Sequence, residues 1–258
     1  ETEDGLTVHT VPVEAVYDVF GDGRVDPETI KAYVRHAYDN WDTAYVLLVG
    51  DGTHDPLNNL GNADPLQTFI PPYLAMVDPT WGEAPSDNLY ATAQDGDDQV
   101  PDLYVGRLPV NTPAEAETVV AKILAYEQDS PPWNAPLLFF ADTPEQGGTD
   151  FHDHSDDMYG HVLDLGLSSY RAERIYYCDG NEGCTKTETY QISDTEEMRQ
   201  RILDELNWGA LLATWTGHSS WHQWGAARLF HVDDIPKLDN GDRLPVFLQM
   251  TCFTSYFS

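Results

Sequence analysis

Basic side chains are scarce in this 258-residue chain. Only 13 lysines and arginines stand against 44 aspartates and glutamates, a net charge of −31. Phosphate recognition needs clustered Lys and Arg, so nucleic acid is excluded as a partner. Long apolar runs are absent too: nothing approaches the ~18 uninterrupted residues of a membrane span. The first residues lack a signal-peptide pattern, which a leader already removed would also explain. Internal repeats and low-complexity tracts are missing. There is no Gly-x-Ser-x-Gly elbow, which argues against a serine hydrolase.

Cysteine is limited to three residues. Cys178 and Cys184 bracket a polar loop that a small disulfide could close, leaving Cys252 as the odd thiol. A disulfide would point to an oxidising compartment. The acidic surface suits solubility, a cationic substrate, a salty habitat or bound calcium. A structural calcium is compatible with the Asp-rich turns 51–55 and 95–98, because hard cations take carboxylate and carbonyl oxygens. Neither turn has EF-hand spacing.

A hydrophobic content of 41% is enough for a substantial core, in one large or two small domains. Leu6–Val11 reads as a strand. Asp26 and Pro27 open a helix as N-cap and first helical residue, with Ile30, Tyr33, Val34, Ala37 and Trp41 on one face. Tyr45–Val49 is a continuous apolar run of the buried parallel-strand type. The Pro- and Asp-rich stretch from Pro56 to Pro101 reads as functional loops. Leu103–Leu108 is a short strand. Thr112 and Glu115 form a capping box for a helix whose face carries Val119, Val120, Ile123 and Leu124.

The Pro-rich connector Asp129–Asn134 divides an N-terminal subdomain, 1–131, from a second one, 135–258. In the second, strands at 137–141 and 174–177 alternate with helices at 153–165 and from Asp194 to Gly209. Two further strands end near His218 and Cys252. Such alternation predicts an α/β fold with parallel strands covered on both faces.

His218 and Cys252 each follow an apolar run and precede small or polar residues, which reads as the carboxyl ends of neighbouring buried strands. Reactive groups in open α/β sheets collect at carboxyl strand ends. A thiol needs a nearby base to become a thiolate at neutral pH, and histidine is the usual supplier. Two metal readings compete. His218 and His222 have metalloprotease spacing, but Ser219 occupies the general-base position. His152, Asp153, His154, Asp150, Asp156 and Asp157 form a second metal-like cluster, equally readable as a solvated helix start.

Thr216-Gly-His218-Ser-Ser with Trp224-Gly, and Leu244-Pro-Val-Phe with Cys252, resemble the His and Cys blocks of the gingipain-like cysteine peptidases. Tyr45–Asp51, Ser86–Tyr90, Val105–Arg107 and the helix to Glu127 match in the same order. The resemblance implies a caspase-like α/β/α architecture of two side-by-side subdomains. It makes Cys252 the nucleophile and His218 the general base and acid, with the amides of Cys252 and Ser219 as oxyanion hole. Glu145 is the better match for the acidic residue that orients the histidine, with Asp142 as fallback. Asp150 aligns with the acidic residue that selects a basic P1 side chain; a helix N-cap is its other reading. Trp224 and Ser219 join it as candidate substrate contacts.

The sequence departs from the pattern at Ser219, usually Gly, and at Thr251, usually Ala. Six residues follow Cys252, where the family continues, so a second chain completing the fold or a fragment boundary is expected. The expectation is a secreted or cell-surface cysteine endopeptidase acting on proteins or peptides, with no cofactor required for chemistry. Transpeptidation by the same dyad, a non-catalytic binding or scaffold relative and a calcium-binding acidic module are the alternatives.

Overall fold

The computed structural model describes residues 5–55, 58–61, 67–78, 82–92, 100–128, 136–145, 147–166, 170–180, 184 and 187–254. They divide into two compact units, one reaching Val120 and the other starting at Ala121. The division falls inside a helix; the connector Asp129–Asn134 lies outside the described residues.

In the first unit, α1 (Val13–Phe20) and α2 (Pro27–Trp41) pack together. Asp26 caps α2 through the amide of Glu28 at 2.9 Å, and Ile30, Val34 and Ala37 are buried. Trp41 is exposed. β1 (Tyr45–Val49) pairs in parallel with β4 (Tyr104–Leu108), and β2 (Leu74–Asp78) forms a hairpin with β3 (Gly82–Pro85). Tyr17, Leu48, Ile70, Tyr90 and Leu103 share the core.

Arg107 holds this unit together. Its guanidinium grips both carboxylate oxygens of Asp87 at 2.7 and 2.8 Å. The remaining nitrogen donates to the carbonyls of Gly50 and Ile70 at 2.8 and 2.9 Å. Bidentate geometry and main-chain acceptors are what allow a charge to be buried.

Several expectations for this unit need correction. Leu6–Val11 makes no ladder and is exposed. The helix beside it, α1, was not anticipated, although Val13, Val16, Tyr17 and Phe20 have helical spacing behind Pro12. Part of the stretch read as loops is the β2–β3 hairpin. β1 is a parallel strand as its sequence suggests, but only Leu48 is buried in it. A two-stranded sheet packed on one side leaves alternate residues uncovered, and Tyr45 and Tyr104 stack on each other there at 5.2 Å. α3 (Pro113–Gln128) starts as expected, with Thr112 accepting from the Glu115 amide at 3.2 Å. Its apolar face is not buried by the described residues.

The second unit is built on five parallel strands in the order β12-β8-β5-β6-β7. These are β5 (Leu137–Ala141), β6 (Ala172–Tyr177), β7 (Gln191–Ile192), β8 (Leu212–Thr216) and β12 (Val246–Met250). Every residue of β5 is buried, as its unbroken apolar run requires, whereas β12, expected to be buried, is an edge strand with four of its five residues exposed among the described residues. Leu137, Phe139 and Ala141 meet α4 (Phe151–Asp164) on one face. Leu138 and Phe140 meet Met198, Ile202 and Leu206 of α5 (Thr195–Trp208) on the other. The period of two thus serves two helical layers. Between β8 and β12 lie three two-residue strands, β9 (Ser219–Ser220), β10 (Gln223–Trp224) and β11 (Phe230–His231), in a small antiparallel sheet.

Cys178 and Cys184 are joined by a disulfide, and Cys252 is free and exposed. Among the described residues, no helix is long and apolar enough to cross a membrane.

Candidate active site

The chain runs outward from β5 through β6 and β7, then returns to the other side of β5 with β8 and β12. The carboxyl ends of β5 and β8 therefore flank the point where strand order reverses, the place where open sheets form a crevice. The residues after those ends are Asp142–Glu145 and Gly217–His218.

Register sets the central geometry. β8 pairs with β12 so that Thr216 stands opposite Met250. His218 and Cys252 each lie two residues beyond that pair, just past the carboxyl ends of two adjacent strands. The ladder continues one step further through Gly217 N–H, which donates to Met250 O at 3.5 Å.

The His218 hairpin is held from below. Its carbonyl accepts from Trp215 Nε1 at 3.2 Å and from the Gly225 amide at 2.8 Å. Trp215 is fully buried and lies flat on Trp224, with centroids 4.9 Å apart. Phe151, at the start of α4, meets the His218 ring edge-on at 5.2 Å. Gly217 has no room for a side chain, because a Cβ there would stand 2.5 Å from Asp142 Cβ. These supports were not identified from the sequence, apart from the glycine before the histidine, which is a visible signal.

Of the two candidate orienting carboxylates, Glu145 is the one that meets the ring: its Oε1 lies 2.5 Å from His218 Nε2. That bond, with lesser help from the Thr149 amide, holds the Glu145 carboxyl below its usual range. With Nε2–H donated to Glu145, Nδ1 is left as the basic face of the imidazole. Asp142 lies beneath the hairpin, 5% exposed. Its Oδ1 accepts from the Thr143 amide at 2.9 Å, and its own amide donates to Thr216 O. Burial pushes its carboxyl up, against the opposing pull of that amide and of His218.

The remaining candidates take different places. Asp150 caps α4, its Oδ1 accepting from the amides of His152 and Asp153 at 3.0 and 3.1 Å. Trp224, read as a substrate contact, is instead 6% exposed and packed in the core, so it supports the site from below. Ser219 sits at the rim; its hydroxyl donates to Cys252 O and accepts from Thr251 Oγ1. A cleft of about 520 Å³ opens beside His218, with Asp142, Glu145, Asp179 and Ala226 among its walls.

The metal-like residues do not converge. Among the described residues, no three His, Cys, Asp or Glu side chains form a group that could hold an ion. His152 turns inward to Tyr177 O at 2.9 Å, and burial is the main cause of its lowered pKa. His222 packs edge-on against His231. Asp156 binds Arg174 and Tyr176. In the turn 51–55, Asp55 accepts from the amides of Asn59 and Leu60, and Asp51 from Gly52 N and Asn111 Nδ2. The turn 95–98 lies outside the described residues.

Comparison with known proteins adds the context. The chain is 24% identical over 238 residues to Gingipain R2 of Porphyromonas gingivalis strain W83, covering 90% of this chain and 27% of that protein. The match to Gingipain R1 of the same species is 24% over 238 residues, 20% of its length. The chain thus spans about a quarter of the curated relatives it matches. The crystal structure of the Arg-specific cysteine proteinase gingipain R superposes with a TM-score of 0.65 at 21% identity, over 94% of this chain and 48% of that one. The complex of RgpB pro- and mature domains from P. gingivalis gives 0.63 at 21% identity, over 92% and 48%. That likeness establishes a gingipain-type α/β fold. The model of peptidase family C25 matches residues 1–258, and the chain belongs to that family.

Proposed function

We propose that this chain is a cysteine endopeptidase whose nucleophile is Cys252 and whose general base and acid is His218, oriented by Glu145. The supporting observation is the shared register: both residues lie two positions beyond the Thr216–Met250 pair on adjacent strands.

The chemistry follows from the geometry. Glu145 occupies Nε2, so Nδ1 takes the thiol proton. The thiolate adds to the scissile carbonyl carbon, and the C=O pair moves onto oxygen. The amides of Cys252 and Ser219 receive that charge, which develops only in the tetrahedral state. Collapse expels the amine, which takes its proton from the imidazolium. Water then attacks the thioester with imidazole as base, releasing the acid and restoring the thiol.

A basic P1 residue is the preferred substrate feature. The Glu145 and Asp179 carboxylates on the cleft by His218 favour cations. Asp150, aligned with the acidic residue that selects a basic P1 side chain, makes both of its capping bonds through Oδ1. The Cys178–Cys184 disulfide supports an extracellular location.

Peptide-library cleavage tests the activity and the P1 preference together, with Cys252→Ala as the blank. Iodoacetamide should modify Cys252 near neutral pH and do so much more slowly in His218→Ala. No cleavage, together with equal labelling of both proteins, would overturn the reading.

A further inference from the structure

We infer that Ser219 and Thr251 form a hydroxyl clasp that positions the Cys252 peptide unit for acyl transfer. The inference rests on the proposed dyad and concerns a different part of the site.

Cys252 lies past the last ladder residue of β12, Met250, and is exposed. The next residue, Phe253, takes a left-handed conformation at φ 57°, so the strand does not continue. The main chain that carries the nucleophile therefore has no strand geometry to fix it. Side chains supply the anchorage. Thr251 Oγ1 donates to Ser219 Oγ at 2.8 Å, and Ser219 Oγ donates to the carbonyl of Cys252.

One hydroxyl thus holds both flanks of the same amide. The Cys252 N–H lies between the Thr251 Cα, whose side chain binds Ser219, and the Cys252 carbonyl, which Ser219 binds in turn. The reference point is Ser219, whose own amide follows His218. The two N–H groups assigned to the oxyanion are therefore fixed relative to each other by a single oxygen. Both bonds run in the same direction, so each polarises the other. The two positions where this sequence departs from the family pattern meet in this chain of bonds. Neither hydroxyl bonds the Cys252 sulfur or the His218 ring among the described residues, so both are positioning residues.

Two reactions that need no substrate specificity separate this role from general packing. In acetylation by p-nitrophenyl acetate, the thiolate adds to the ester carbonyl, an oxyanion forms, and nitrophenolate leaves, giving a thioester. In alkylation, the thiolate displaces iodide from iodoacetamide and no oxyanion forms. Rates are measured on the whole protein, less the Cys252→Ala background. Displacing an oxyanion donor without deleting it should slow acetylation ~10-fold in Ser219→Ala, with alkylation at the wild-type rate. Thr251→Val should slow acetylation less, Thr251→Ser should restore it, and the double variant should be no slower than Ser219→Ala.

Equal slowing of both reactions, unchanged acetylation in Ser219→Ala, or no Cys252-dependent acetylation in the wild type would overturn the clasp. If circular dichroism shows Ser219→Ala unfolded, the contrast between Thr251→Val and Thr251→Ser decides. If His218→Ala alkylates like the wild type, the dyad is what fails. The clasp is read separately, from the acetylation-to-alkylation ratio in variants that keep His218.

Discussion

Replacing Gly217 by alanine tests how tightly packing holds the His218 hairpin. The new Cβ would lie 2.5 Å from Asp142 Cβ and 2.9 Å from Trp215 Cζ2. Neither neighbour can yield easily: one is the Cβ of the residue just after β5, whose amide is bonded to Thr216 O, and the other belongs to a fully buried indole stacked on Trp224. Ordinary carbon contacts are about 3.5–4.0 Å, so the hairpin must move by ~1 Å. Overpacking of that kind costs roughly 1–3 kcal/mol. A displacement of ~1 Å at a reacting group costs on the order of 10²-fold in rate. Iodoacetamide labelling of Cys252, followed by mass spectrometry, should fall toward the His218→Ala rate, and guanidinium unfolding should shift to lower concentration. Gly160→Ala is the control. Beyond its chain neighbours and the helix's own backbone, nothing lies within 4 Å of a Cβ at that site in α4, so the helix gains ~1 kcal/mol and labelling is unchanged. A Gly217→Ala protein that labels like the wild type would refute the packing argument.

Three other outcomes are expected. Glu145→Gln should slow labelling near neutral pH. In the wild type, Glu145 has a folded pKa below its ordinary value of 4.5, so its contribution is complete above that value and is lost as pH falls through the lowered one; the variant should lack this acid limb in a rate–pH profile. Arg107→Met leaves the Asp87 carboxylate without its cation and should destabilise the first unit by roughly 3–5 kcal/mol, as limited proteolysis would show by cleavage before residue 120. Thiol titration should find one reactive cysteine in the native protein and three after reduction and unfolding; replacing Cys178 and Cys184 by serine, which opens a bridge of separation 6, should cost about 2 kcal/mol in chemical unfolding.

Much of the second unit was legible because its signals are local. The apolar run of β5 marked a strand buried on both faces, and Asp194 marked the start of α5 through a single side-chain bond to the Glu197 amide. The first unit was less legible. β1 has the composition of a buried strand, yet how much of it is covered depends on the elements that pack against it. The β2–β3 hairpin was hidden in a stretch rich in turn residues, where no clear alternation marks a strand.

The site divides along the same line. By itself the sequence determined that His218 and Cys252 end apolar strands, that a glycine precedes the histidine, and that Cys252 is the odd cysteine. These are properties of short segments, carried by periodicity and composition. Only the tertiary structure decided the register in which β8 and β12 pair, the 2.5 Å contact between Glu145 and the ring, and the place of Trp224 in the core. It also joined Ser219 to Thr251 and Cys252, 32 and 33 residues away. Such pairings follow from strand order and from which faces find a covering layer, and no local pattern encodes either.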